Sequence, residues 1–286
     1  MNVRERFTRG LLRAATLICA SATAGILLFM LVLAVPLIAS TGFRQLLFGN
    51  WAPLAGHYGI LPMIAASALL TATAWGLSFP ISLGCAALIC ELAPRRSAIW
   101  LHRMIQMMTG IPTVVYGFVG VFLLVPVIRE TFAAGSGRCL LTATLVLALM
   151  ITPTMVLFFV DALEAVPTGY RLAAAAAGAD PIERLLWVII PGARSGIVAG
   201  SLLAFGRALG DTLIALMLAG NAAQWPEGLL QSARTLTAHI ALVIAADFES
   251  PEFRSIFLCG IVLYAITSAT AMVAWRLRQR SSGGPR

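Results

Sequence analysis

The chain has 286 residues, of which 59% are hydrophobic and 11% are charged, and its formal net charge is +8. Soluble domains carry about 25% charged residues, so this composition and a mean hydropathy of +0.91 exclude a soluble globular protein. The sequence instead predicts an all-α polytopic membrane protein. Its basic residues, all of them arginine, indicate contact with anionic lipid headgroups and do not indicate nucleic acid as a partner.

Hydrophobic stretches of roughly 20 residues predict six membrane spans. The first exceeds the apolar region of a signal peptide and is expected to remain as an anchor. The second contains Pro80, but a turn there would leave backbone groups unsatisfied in lipid, so we expect one tilted or kinked span. The predicted spans are residues 17–38, 61–92, 107–127, 140–160, 196–220 and 256–276.

Arginine asymmetry predicts the orientation of these spans. With the N-terminus inside, the inner segments hold fourteen of the twenty arginines and the outer segments hold five, while Arg207 lies within a span. Cytoplasmic loops are rich in basic residues, so both termini are expected to be cytoplasmic. The expected units are 1–57, with the anchor helix and an outer loop, 58–280, the transmembrane domain, and 281–286, a cytoplasmic tail.

Cysteine and histidine residues do not suggest a bound metal. The five cysteines fall in or beside spans without metal-ligand spacing, and the three histidines are assigned to three different loops. We therefore predict no metal, haem or other cofactor, and interpret the cysteines as packing residues.

Residues 110–117 combine Gly, Pro and Thr within the third predicted span. Such residues commonly permit close helix packing and a kink. The alternative is that Thr113 and Tyr116 line a pathway at a break in the helix. Residues 152–154, Thr-Pro-Thr in the next span, leave the same two interpretations open.

The loop 161–194 is predicted to form two short helices. A run rich in alanine ends at Gly178, which favours a helix terminus there. Asp180, Pro181 and Glu183 then resemble a capping box at the start of a second helix, and Pro191 is expected to break the pattern before the fifth span. Two interpretations follow, a docking surface for another subunit or an amphipathic segment lying on lipid.

The fifth predicted span is apolar except for Arg207 and Asp211. Ionised groups near the bilayer centre cost roughly 2.5 to 3.5 kcal/mol each, so this pair is a candidate functional site. Four residues apart on one helix, the two would share a face and partly neutralise each other. The alternative is a structural ion pair that holds this helix to a neighbour.

The 161–194 loop resembles the coupling loop of ABC importer permeases, in which a Glu-Ala-Ala motif, a glycine and an Ile-x-Leu-Pro sequence dock on the ATPase. The spacing is kept, but Leu172 replaces the glutamate of the motif. Small residues would still let a partner approach closely. The positions that the resemblance assigns to ATPase coupling are Leu172, Ala173, Ala174, Gly178, Ala179 and Pro191.

Four further blocks resemble permeases of phosphate-specific ABC importers, and their C-type subunit most closely. They are YGILPMI at 58–64, CELAPRR at 90–96, TGIPTVVYGFVG at 109–120 and GRALGDTLIALMLAGN at 206–221. The resemblance implies a type I (MetI-like) permease fold in the cell inner membrane. It also implies an ABC ATPase dimer, a second permease that is homologous or identical, and an extracytoplasmic phosphate-binding protein as partners.

Phosphate transport needs a positive group in the pathway, and the guanidinium of Arg207 suits phosphate oxygens. Asp211 stands where the family usually has Glu, and we expect it to restrain Arg207. The hydroxyl of Thr212 is either a pathway donor or bonded back to its own helix. The chain has no lysine and hence no ATP-binding P-loop, so ATP hydrolysis is assigned to a partner. Alternatives are another oxyanion (sulfate, molybdate or phosphonate) and a non-transporting sensor or assembly subunit.

Overall fold

The computed structural model describes residues 3–133 and 135–282, with the side chains of 8–133 and 135–277. Six helices in this part of the chain are long and apolar enough to cross a membrane, which confirms the predicted class and number of spans. Residues 283–286 of the predicted tail lie outside the described residues, and the domain limits remain predictions. The spans are Thr8–Thr41, Leu61–Leu92, Thr113–Phe132, Leu140–Glu164, Pro181–Leu209 and Pro251–Leu277.

The N-terminal third contains the first two spans and a short hairpin between them. Pro80 lies inside the second span, whose helix continues past it, so the prediction of one uninterrupted span is confirmed. A π-helical turn at Leu88–Leu92 completes this span. The elements are α1 (Val3–Thr41), α2 (Phe43–Phe48), β1 (Trp51–Ala52), β2 (His57–Tyr58) and α3 (Leu61–Ala87).

The third span begins later than the predicted residue 107. Helix α4 (Arg95–Thr109) precedes it, and α5 (Thr113–Val119), a π-helical turn at Gly120–Leu124 and α6 (Val125–Phe132) form the span itself. The break arises because Pro112 lacks an N–H and pushes the preceding residue away from helical geometry.

The region that follows contains the most deeply buried span, α7 (Leu140–Glu164), then α8 (Thr168–Ala176) and α9 (Pro181–Arg184). A π-helical turn at Leu185–Ile189 joins α9 to α10 (Ile190–Leu209). The predicted break at Pro191 is therefore wrong. Pro191 lies in the first turn of α10, and the wider preceding turn makes room for its ring and missing N–H.

The fifth span does not run continuously over 196–220 as predicted. Helix α10 ends at Leu209, and α11 (Leu213–Leu218) begins after a three-residue break. The predicted outer loop 221–254 is also only partly a loop, because α12 (Leu236–Val243) buries four of its residues, including His239. The last element of the described residues is α13 (Pro251–Ser282).

Helix α7 is the centre of the bundle. It packs against α3 and α10, and α10 packs in turn against α13. Phe79 of α3 meets Phe159 of α7 edge to face, with ring centroids 5.4 Å apart. Helix α1 packs mainly along α13 and exposes most of its apolar surface, as expected for a peripheral membrane helix.

Candidate functional site

The break between α10 and α11 is built by Gly210, Asp211 and Thr212. One carboxylate oxygen of Asp211 accepts a 2.9 Å hydrogen bond from the Ile214 N–H, which caps α11. The hydroxyl of Thr237, on α12, donates to the Asp211 carbonyl at 2.8 Å. The interrupted backbone is therefore satisfied by protein groups, as non-helical backbone at membrane depth requires.

Arg207 lies in the last turn of α10 with its side chain exposed. Its Nη1 donates to the hydroxyl of Thr154, near the middle of α7, at 2.9 Å. Among the described residues, no ion pair within 4 Å joins Arg207 to Asp211, so the partial neutralisation expected from their spacing is not made by a direct contact. The two residues belong to different segments, and the Asp211 carboxylate is used as a cap.

The Thr-Pro-Thr sequence of α7 divides into two roles. Thr152 bonds back to the Ala148 carbonyl at 2.7 Å, and that carbonyl also accepts a 2.9 Å bond from Ser78 of α3. Thr154 instead points its hydroxyl to Arg207. Thr152 therefore serves helix packing, whereas Thr154 contacts the candidate site.

The residues of the third span mostly serve packing. A side chain at Gly117 would collide with Met217 of α11, and one at Gly120 with Leu218, so these glycines permit close helix contact. Tyr116 is buried, and its hydroxyl donates to the Met108 carbonyl of α4 at 3.2 Å, across the break between α4 and α5.

Thr113 and Thr212 keep unassigned hydroxyls. Thr113 is half-buried at the first residue of α5, and Thr212 lies at the start of α11. Neither hydroxyl has a hydrogen-bond partner within the described part of the chain, so the structure does not show the alternative in which Thr212 bonds back to its own helix. Arg207 is close enough for its charge to act on Tyr116 and Asp211.

The loop between α7 and α10 has the predicted helix–glycine–helix design. Gly178 takes a left-handed φ of 89° after α8, and the Ala179 N–H returns to the Ala174 carbonyl at 3.1 Å. Asp180 and Glu183 form the reciprocal bonds of a capping box at 2.8 and 3.0 Å. Local capping chemistry thus decides where both helices start and stop.

The residues assigned to ATPase coupling lie on the surface of this end of the bundle. Ala174 and Ala179 are half-buried, and the other four are exposed: Leu172, Ala173, Gly178 and Pro191. An added Cβ at Gly178 would meet nothing within 4 Å, so the glycine is required by its backbone conformation and leaves open surface above it.

Sequence reasoning missed the ion-pair cluster under this surface. Glu91, in the π-helical turn after α3, bonds Arg171 of α8 and Arg184 of α9, the latter at 3.4 Å. Only 6% of the Glu91 side chain is exposed. An acid at the end of an apolar span, inside the CELAPRR block, was the available signal, because such a group requires a partner.

Comparison with known proteins places this geometry in a family. The pattern described as "Binding-protein-dependent transport system inner membrane component" matches residues 76–280. The chain is 33% identical over 221 residues to "Probable ABC transporter permease protein YqgH" of Bacillus subtilis, covering 76% of this chain and 72% of that one. It is 32% identical over 247 residues to "Phosphate transport system permease protein PstC" of Xylella fastidiosa, covering 79% and 75%.

Solved structures show the same fold at low identity. A chain of a bacterial alginate ABC transporter in complex with a pentasaccharide-bound periplasmic protein superposes with a TM-score of 0.61 at 13% identity, over 100% of both chains. A chain of the methionine ABC transporter MetNI gives 0.60 at 17% identity, covering 79% of this chain and 99% of that one. These likenesses establish the permease fold alone.

Proposed function

We propose that this chain, which belongs to the family of binding-protein-dependent transport system inner membrane components, forms half of the translocation pathway for inorganic phosphate in an ATP-driven importer. Its membership makes it a multi-pass inner-membrane permease of an ABC importer. Phosphate as the substrate is supported by relatives named as phosphate permeases, at about 30% identity over most of the chain.

The observation that carries the proposal is the state of Arg207. Its guanidinium is held by the neutral hydroxyl of Thr154, so its charge is not cancelled by a carboxylate within 4 Å. An exposed, positioned guanidinium can bind two oxygens of a phosphate at once. The adjoining break keeps Asp211 occupied as a helix cap, which leaves Arg207 available to an anion.

The exposure of Arg207 also supports a second permease as a partner. A charged side chain that faces lipid is costly, by roughly 2.5 to 3.5 kcal/mol where it lies at the bilayer centre. Arg207 is exposed in the single chain, so that face must meet protein or a water-filled path. A second permease, identical or homologous, would cover it and complete the pathway, with Thr113, Tyr116 and Thr212 near the break.

The α8–α9 surface is the proposed ATPase contact, on the cytoplasmic side together with both termini. Its exposed residues include Leu172 in place of the glutamate found in the family, so docking here depends on shape and apolar contact. A phosphate-binding protein would meet the opposite end, through exposed parts of 221–254 outside α12. That region exposes Trp225 and Phe248, the kind of aromatic side chain enriched at interfaces.

The test of substrate is uptake of labelled phosphate by the complete transporter reconstituted with its binding protein. Phosphate should accumulate only with ATP, and excess sulfate, molybdate or phosphonate should compete weakly. Preferential uptake of one of those anions would replace phosphate as the substrate. Absence of uptake with every oxyanion, despite an assembled complex with an active ATPase, would favour a sensor or assembly subunit.

The test of the coupling surface is a pair of substitutions at Gly178. Asn tolerates the left-handed conformation, and the space around Gly178 accepts its side chain in the free chain. Both substitutions strain the backbone at this positive φ, but Gly178→Asn should still fold and weaken ATPase docking only modestly, whereas the added bulk of Gly178→Arg should abolish docking. If Gly178→Arg leaves docking and transport intact, this surface is not the ATPase contact.

A further inference from the structure

Helices α8 and α9 are attached to the bundle without an apolar core of their own. Neither contains a buried residue. Hydrophobic burial usually holds a helix to a protein, and here that contribution comes only from neighbouring segments. Helix α9 is continuous with the fifth span through the Leu185–Ile189 turn, whereas the attachment of α8 must rest largely on polar contacts.

One carboxylate makes the main polar contacts to both helices. Arg171, on α8, donates from Nη1 to Glu91 Oε1, and Arg184, on α9, donates from Nη2 to Glu91 Oε2 at 3.4 Å. The arginine side chains are 22% and 23% exposed, against 6% for Glu91. Each carboxylate oxygen is thus used by a different helix, and the acid is a shared anchor for both.

The cluster also reaches the central span. Nη2 of Arg171 donates to the carbonyl of Leu163, in the last turn of α7, at 2.7 Å. A cation at the C-terminus of a helix is favoured by the helix dipole, and here it adds a bond to a carbonyl that also accepts from the Val166 N–H at 3.2 Å. The same guanidinium therefore joins α8 to the ends of two spans, the π-helical turn that follows α3 and the last turn of α7.

The backbone at Glu91 is adapted to this position. Residues Leu88–Leu92 form a π-helical turn closed by a bond from the Ala93 N–H to the Leu88 carbonyl at 2.8 Å. A π-turn inserts a residue into the helix, rotates the following side chains, and frequently marks a functional position. The second span thus ends with Glu91 directed to the two arginines.

We propose that Glu91 is a positioning residue that ties the two coupling helices to the ends of spans α3 and α7, so that a movement of the coupling helices is passed to those spans. The proposal rests on the assignment of α8 and α9 as the ATPase contact. A buried carboxylate shared by two arginines suits this task, because removing its charge leaves two cations without an anionic partner. The surface residues that touch the ATPase would then depend on a group beneath them.

The test is amide hydrogen exchange of the assembled transporter in lipid nanodiscs, comparing wild type with Glu91→Gln and Glu164→Gln. Glu164 is an exposed acid at the end of α7 that forms no ion pair among the described residues, so its variant removes the same charge at this end of the bundle without breaking an ion pair. Glu91→Gln should speed exchange in α8 by about tenfold or more, whereas α7 interior amides and the Glu164→Gln protein should match wild type.

Unchanged exchange in α8 of Glu91→Gln, or an equal increase in Glu164→Gln, would overturn the proposal. So would faster exchange throughout α7, which would make Glu91 a general determinant of the fold. A coupling readout completes the test: Glu91→Gln should lose stimulation of ATP hydrolysis by the loaded binding protein, and Glu91→Asp should recover part of it. Exchange is measured without substrate, so failure of phosphate uptake in wild type would refute the transport proposal separately.

Discussion

Arginine is used differently in two regions of this protein. At the α10 break, Arg207 is exposed and bonds to the uncharged hydroxyl of Thr154, whereas at the coupling end Arg171 and Arg184 share the buried carboxylate of Glu91. A guanidinium paired with a carboxylate has its charge largely compensated and serves a structural role, holding two segments together. One held by a hydroxyl is oriented but keeps its charge for an anion.

The largest expected effect is that of Arg207→Gln on phosphate uptake. Losing a hydrogen bond to a charged group costs roughly 1.5 to 3 kcal/mol, so uptake should fall by about a hundredfold at the upper end of that range. The measurement is the initial rate of phosphate uptake into proteoliposomes. Arg194→Gln, at an exposed arginine of the same helix without an ion pair among the described residues, is the control and should transport normally. Equal loss in both variants would contradict the comparison.

The next effect distinguishes the two arginines that bind Glu91, Arg171 and Arg184. Arg171 makes a second bond, to Leu163, and Arg184 makes one longer bond to Glu91. Arg171→Gln should lower the local stability of α8 by about 2 kcal/mol, and Arg184→Gln that of α9 by about 1 kcal/mol. Hydrogen exchange of each helix measures both values. A larger loss of stability in Arg184→Gln would contradict the prediction that Arg171 contributes more to the cluster.

Asp211 tests whether the α10 break needs a second charge. Asn caps a helix about as well as Asp, while Ala loses about 1 kcal/mol. Asp211→Asn should therefore keep both thermal stability and uptake, and Asp211→Ala should lower the stability of the purified complex. If Asp211→Asn abolishes uptake at unchanged stability, the carboxylate acts through its charge and its capping bond to Ile214 is secondary.

The smallest expected effect concerns the hydroxyl that holds Arg207. Thr154→Val keeps the shape of the side chain but removes the acceptor, and should raise the KM for phosphate about fivefold, near the 1 kcal/mol of one hydrogen bond. Thr154→Ser keeps the hydroxyl and should stay near wild type. Identical kinetics in both variants would show that Thr154 does not position Arg207.

The parts of this structure that could be predicted are governed by neighbouring residues. The boundary between α8 and α9 follows from Gly178 and the capping box of Asp180 and Glu183, all within six positions. The number of spans follows from apolar stretches, and the uninterrupted second span from the cost of a turn in lipid. Each of these depends on local chemistry that the sequence displays directly.

The sequence contains a signal for the helix break at Gly210, but the apolar residues around it favoured a continuous span. Gly210 is a typical residue at a helix C-terminus, and Asp211 is a typical capping residue at a helix N-terminus. Hydrophobicity alone nevertheless suggested one continuous span. The pairing of Glu91 could not be predicted in the same way. Its partners lie 80 and 93 positions away, and only the folded arrangement of the end of the second span against α8 and α9 brings them together.

The most direct test of the division between the two regions measures phosphate uptake and ATP hydrolysis stimulated by the loaded binding protein in the same proteoliposomes. Arg207→Gln should lose uptake while keeping the stimulation of ATP hydrolysis, because Glu91 still holds the coupling helices to the spans. Glu91→Gln should lose both. If Arg207→Gln also loses the stimulation, or if Glu91→Gln keeps it, anion handling and coupling are not divided between these two arginine environments.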